Sequence, residues 1–172
     1  MRLFGYILNN MYICSILMHH FMARANYELI DRQRDDLMKA YREIAPNCHS
    51  QQEAWEKVVH SPAPRYYVSP KRAWDILRRM AVGDFSKVDS MKPIRQKLYY
   101  TLFNRMNEMT QRKEFVGKSL WFICQFLVSE PAPEFFIQPS NLKFIFAYYK
   151  KYGKNYREMD LRKKKLSNKA SS

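Results

Sequence analysis

Glycine is scarce in this chain: Gly5, Gly83, Gly117 and Gly153 are the only four among 172 residues. So few leave little material for tight β-hairpins and none for a glycine-rich loop that cradles phosphate. Cysteine is scarcer still. Cys14, Cys48 and Cys124 are odd in number and lack a CxxC pair, which argues against a disulfide framework and predicts a reduced, cytoplasmic setting. Acidic residues number 16 against 30 basic ones, a formal net charge of +14. That excess predicts attraction to polyanions, nucleic acid first and anionic membrane second, without any implication of base specificity. Long apolar runs are missing as well. Residues 1–21 are apolar, but Asn9-Asn10 interrupt them and His19-His20 close them, a poor pattern for a membrane span or a cleaved signal peptide. The favoured reading is a loose extension or a misplaced start ahead of Met22, with an anchor or a core-docking helix as alternatives.

Chemistry-bearing patterns are equally thin. Neither HExxH nor GxSxG occurs, and adjacent Asp35 and Asp36 on one helix point in different directions, poor geometry for sharing a metal. Cys48-His49 with His60 offers metal-type ligands but no fourth ligand and no recognised zinc spacing. Neither an enzyme, a cofactor nor a metal is expected.

What the chain does hold is a stretch written twice. Pro62-Ala-Pro-Arg-Tyr-Tyr-Val-Ser-Pro70 returns 69 residues later as Pro131-Ala-Pro-Glu-Phe-Phe-Ile-Gln-Pro139. Three prolines, an alanine and three apolar classes in one register point to an internal duplication. Pro62 and Pro64, like Pro131 and Pro133, remove backbone donors and push their predecessors toward extended geometry. The aromatic pairs Tyr66-Tyr67 and Phe135-Phe136 favour extended backbone too. Each stretch therefore predicts a stiff link that ends at a helix-initiating proline, Pro70 or Pro139. The aromatic pairs read first as core plugs between helices and second as stacking platforms for unpaired bases.

Helical periodicity fills the rest. Leu29, Ile30, Leu37, Met38, Tyr41 and Ile44 recur at three- and four-residue steps from Tyr27 onward, with Asn26 as a candidate cap and Pro46-Asn47 as a stop. Ser50 followed by Glu53 forms a capping box for a short helix carrying Ala54, Trp55, Val58 and Val59. Ser69-Pro70 opens a basic helix over Lys71–Met80. Residues 82–91 look like a connection, and Pro93 opens a helix whose stripe is Ile94, Leu98, Leu102, Met106 and Met109. The run Phe115–Val128 is apolar nearly all round, which predicts a central buried helix. An aromatic helix through Leu142, Phe146 and Tyr149 follows, then a tail from Lys150 with nine basic residues against Glu158 and Asp160.

The two copies serve as an internal comparison. Arg65 becomes Glu134, Lys71-Arg72 become Ser140-Asn141, and Arg78-Arg79 fall on Ala147-Tyr148. The apolar framework persists while the charges change. Two readings remain: a phosphate-facing surface on the first copy, or a solvated helix face. The stretch Ser50–Met80 with its Pro-Ala-Pro-Arg-Tyr-Tyr centre also resembles a group of small, uncharacterised helical proteins of Bacteroidetes and their mobile elements. That resemblance implies a real helix–link–helix module and carries no activity with it.

The expected architecture is all-α: two related three-helix modules of helix-turn-helix-like layout, residues 22–81 and 92–150, joined by 82–91 and followed by a basic tail over 151–172. The expected function is a nucleic-acid-binding accessory protein. Arg65, Lys71, Arg72, Arg78 and Arg79 would contact phosphates, and Lys163, Lys164 and Lys165 would add non-specific affinity. The alternative is a structural or adaptor protein that binds a protein partner or a second copy of itself. Membrane association is a distant third.

Overall fold

A computed structural model of the chain describes residues 28–152. Every regular element in that span is helical: α1 over residues 28–44, a 3-10 turn at Ala45–Asn47, α2 at Gln51–Val59, α3 at Pro70–Ala81, α4 at Ser86–Asp89, α5 at Pro93–Thr110, α6 at Leu120–Leu127 and α7 at Pro139–Tyr152. The all-α expectation holds. Asn26, the extension 1–21 and Lys163–Lys165 lie outside the described residues.

Local chemistry starts and stops these helices. Ser50, Ser69 and Ser119 each sit in extended geometry and accept a hydrogen bond on the side chain from the backbone N–H three residues on, at Glu53, Arg72 and Phe122. In α2 the Glu53 carboxylate reaches the N–H of His49 at 2.8 Å rather than that of Ser50, so the capping box closes one residue early. Pro70 and Pro93 occupy first helical turns, where their missing donors would be unpaired anyway. Helix α3 ends on Gly83 at φ +83, with the N–H of Gly83 bound to Met80 O and that of Asp84 to Arg79 O. That left-handed turn satisfies two orphan carbonyls and favours glycine.

The two Pro-Ala-Pro stretches meet face to face. Ala63 and Ala132 form an antiparallel bridge and exchange both backbone hydrogen bonds at 2.9 Å. Around it Tyr66 stacks on Phe136 with centroids 6.1 Å apart, and Tyr67 stacks on Phe135 at 6.0 Å. The 69-residue offset makes these two contacts the same contact seen from opposite halves. It also pairs buried Ala54 with Ile123, Trp55 with Cys124, Val58 with Leu127 and Val59 with Val128.

Helix packing follows this reciprocity. Helix α3 lies against α5 and α6, α5 against α6, and α2 against α7. Helix α7 also reaches α1, through Tyr41 on Phe146 and a hydrogen bond from Tyr149 to Asp35. The third helix of each half is thus lodged in the other half, whereas a helix-turn-helix places it on the helices of its own half. The cause is the bridge: short, stiff, extended links carry α3 and α7 away from the helices that precede them. One contiguous core results, with Leu37, Ile76, Leu77, Leu102, Leu127 and Leu142 all essentially inaccessible.

Two further expectations change. The run Phe115–Val128 is helical only from Leu120, because Gly117 turns left-handed at φ +73 and Ser119 caps α6 after it. Nor is that helix buried all round: it packs on α3 and α5 by one side, and Trp121, Phe122 and Phe126 are exposed. The connecting stretch 82–91 contains α4, whose Val88 is buried and whose neighbour Phe85 stacks on Tyr100.

Candidate nucleic-acid interface

Helix α3 separates its residues cleanly. Ala73, Ile76, Leu77 and Met80 are buried, while Lys71, Arg72, Arg78 and Arg79 are exposed. The four cations do not form one surface. Arg78 lies over the Trp74 ring at 4.6 Å, and Arg79 pairs with Asp84 at 3.7 Å. Hydrogen bonds from Ser86 hold the Asp84 carboxyl below the usual carboxylate range. At the other end, Lys71 and Arg72 stand in the first turn of α3 and line a groove of about 1040 Å³.

The groove brings in residues that sequence reasoning left out of the site. Lys92 stands at the N-cap position of α5 and Arg95 lies in its first turn, and both line the same groove as Lys71 and Arg72. Among the described residues Asp75 is the one acidic residue in its lining, and Val68, Met91, Tyr99 and Trp121 supply apolar surface. Trp121 is 42% exposed and meets Trp74 edge-on at 6.1 Å. Lys71, Arg72, Lys92 and Arg95 make no ion pair among the described residues. The signal that would have found Lys92 and Arg95 is Pro93, which places them at a helix N-terminus as Pro70 places Lys71 and Arg72. Trp121 was hidden by the all-apolar character of its run.

Arg65 stands apart from this basic surface. It is half-buried and lines a smaller neighbouring cavity of about 270 Å³. Burial, reinforced by nearby Arg32, lowers its affinity for a proton. Glu134, its counterpart 69 residues on, lines the same cavity. The Glu134 carboxylate is 7% exposed and receives Lys97 Nζ at 2.6 Å, with His60 Nδ1 at 3.2 Å. The cavity and the groove share Gln33, Tyr67, Lys92 and Arg95 in their linings, so they adjoin.

The link residues divide by role. Tyr66, Phe135 and Phe136 are buried, Tyr67 is half-buried with its hydroxyl donating to Asp36 at 2.6 Å, and Pro62, Pro64, Pro131 and Pro133 are exposed. Pro70 and Pro139 open α3 and α7. Among the described residues, no cluster of three or more His, Cys, Asp or Glu has the proximity of a metal site, and no helix is long and apolar enough to cross a membrane. Comparison of the chain with protein-family models, with curated proteins and with solved structures finds no match.

Proposed function

We propose that this is a nucleic-acid-binding accessory protein whose contact surface is the groove between the first turns of α3 and α5. The observation that carries the reading is four cations, Lys71, Arg72, Lys92 and Arg95, around one groove with Asp75 as the only acidic lining residue among the described residues. Phosphates are the natural partners of such a rim, because each neutralised phosphate releases counterions. Two helix N-termini add backbone N–H groups and partial positive charge on the same side. Arg78, over the Trp74 ring, and Arg79, paired with Asp84, lie outside the groove and are a separate, secondary phosphate contact in this reading. Arg65 belongs to the adjoining cavity, and the Lys163–Lys165 segment raises affinity without selectivity. The reciprocal pairing of the two links supports a duplicated origin for the chain.

The second reading is an adaptor that holds a protein partner. It draws on the exposed Val116, Trp121, Phe122 and Phe126, an aromatic surface on and beside α6. Salt separates the two. Fluorescence anisotropy of the full chain with single-stranded DNA, duplex DNA and RNA is measured at about 50 and 200 mM salt. Replacement of Lys71, Arg72, Lys92 and Arg95 by glutamine is expected to weaken binding and to flatten the salt dependence by about one unit of log–log slope per lost phosphate contact. No binding by the unaltered chain at the lower salt, or an unaffected fourfold variant, overturns the nucleic-acid reading and favours the adaptor.

A further inference from the structure

We propose, resting on the nucleic-acid reading above, that the groove takes an unpaired strand rather than a duplex and stacks one base on Trp121. Phosphates account for the cations but not for the rest of the lining. Lys71, Arg72, Lys92 and Arg95 are all exposed and suit the backbone of either kind of nucleic acid. The same groove is lined by exposed Ile30 and Trp121 and half-buried Met91, surface that a phosphate cannot use. A duplex hides its base faces inside its own stack, whereas an unpaired strand carries faces that a protein ring can meet. Cations for the backbone beside an accessible aromatic ring are the two components of a single-strand surface.

Trp121 is the ring in this lining that can receive a base. Tyr99 is buried, and Tyr67 is half-buried with its hydroxyl donating to Asp36. Trp121 is 42% exposed and meets Trp74 perpendicularly, at 89° with centroids 6.1 Å apart. A perpendicular contact covers at most one face of either ring. Phe122 and Phe126 share α6 with Trp121 but are outside the groove lining. Gln125, one helical turn beyond Trp121, is exposed and lines the groove with it. Its amide both donates and accepts, so it accommodates any base without choosing one. The expected preference is therefore for unpaired over paired strands, with little distinction among bases, since every base has a π face.

Anisotropy of the full chain at about 50 mM salt tests this with four probes of one length. They are about fifteen thymidines, as many uridines, a thymidine–adenosine duplex, and a strand of stable abasic sugar phosphates. The tighter of the two base-bearing single strands is expected to exceed both the duplex and the abasic strand by about tenfold. Trp121→Leu is expected to lose about tenfold on that strand while leaving abasic binding and the salt slope unchanged. Trp121→Phe is expected to restore most of the loss. A variant that fails to fold weakens every probe alike and shows in circular dichroism; the abasic comparison in the unaltered chain and Trp121→Phe then decide. Duplex or abasic binding as tight as single-strand binding overturns the stacking site and leaves the nucleic-acid reading standing. So does an unchanged affinity in folded Trp121→Leu, or an equal loss in Phe126→Leu, whose ring is outside the groove. No binding of any probe overturns the site together with the reading it rests on.

Discussion

Ala63 and Ala132 stand 69 positions apart in sequence and exchange two backbone hydrogen bonds of 2.9 Å each. Both are about 2% exposed, and the tyrosines and phenylalanines that follow them stack across the same junction. This one pair of residues decides which helices touch, because it sets the direction in which each stiff link delivers the helix that comes after it.

Ala63→Pro removes the donor to Ala132 and adds a ring where the two backbones are closest. Chemical denaturation is expected to show a loss of at least about 2 kcal/mol from an unmatched buried carbonyl and overpacking. Pro62→Ala, at the exposed neighbour, is expected to cost under about 1 kcal/mol through unfolded-chain entropy. Equal effects of the two changes would show that the bridge does not stabilise the junction.

Tyr67 predicts an alkaline limb in stability. Burial first, then the hydrogen bond to Asp36, pushes its phenol well above the ordinary tyrosine value. A folded-state pKa above the unfolded one stabilises the fold fully below about pH 10 and loses that contribution as pH rises beyond it. Tyr67→Phe is expected to cost about 1 kcal/mol at neutral pH. The gap between the two proteins should narrow above pH 10, since the variant has no phenol to ionise there. Melting curves from pH 7 to about 11 read the difference, and a gap that widens with pH would contradict the assignment.

Cys124 is expected to be an inert thiol in the folded protein. It is fully buried in α6, and burial raises its pKa to about 11, while thiolate is the reactive form. Mass-spectrometric mapping after alkylation at pH 8 should find it unmodified in the native chain and modified in denaturant. Native labelling as fast as at half-exposed Cys48 would mean that α6 opens readily.

Much of the helical framework was readable from local signals. Ser50 and Ser69 are caps because a serine hydroxyl satisfies an N–H three residues away, a relationship contained within one turn. The spacing of Ala73, Trp74, Leu77 and Met80 marked most of the buried face of α3, although Trp74 is only half-buried and Ile76 takes its place in the core. Helix α6 shows where local reading slipped. Its run is apolar enough to pass for a buried helix, yet Gly117 and Ser119 already carried the start signal, the latter at the same 69-residue offset as Ser50.

The site was less readable. Lys71 and Arg72 were visible as basic residues of an amphipathic helix, whereas Lys92, Arg95 and Trp121 join them only because α3 crosses to the opposite half of the chain. Arg65 shared their charge and their stretch of sequence, yet the link turns it into a separate cavity beside Glu134.

By itself, then, the sequence determined the helices, their caps, the basic excess and the stiffness of two proline links, since each depends on neighbours a few residues apart. The tertiary structure alone decided the exchange of third helices, the placing of Arg65 and Glu134 on one cavity and the convergence of four cations on one groove. Those relationships join residues tens of positions apart, and no local preference encodes them. They follow from which apolar faces bury each other once Ala63 and Ala132 have paired.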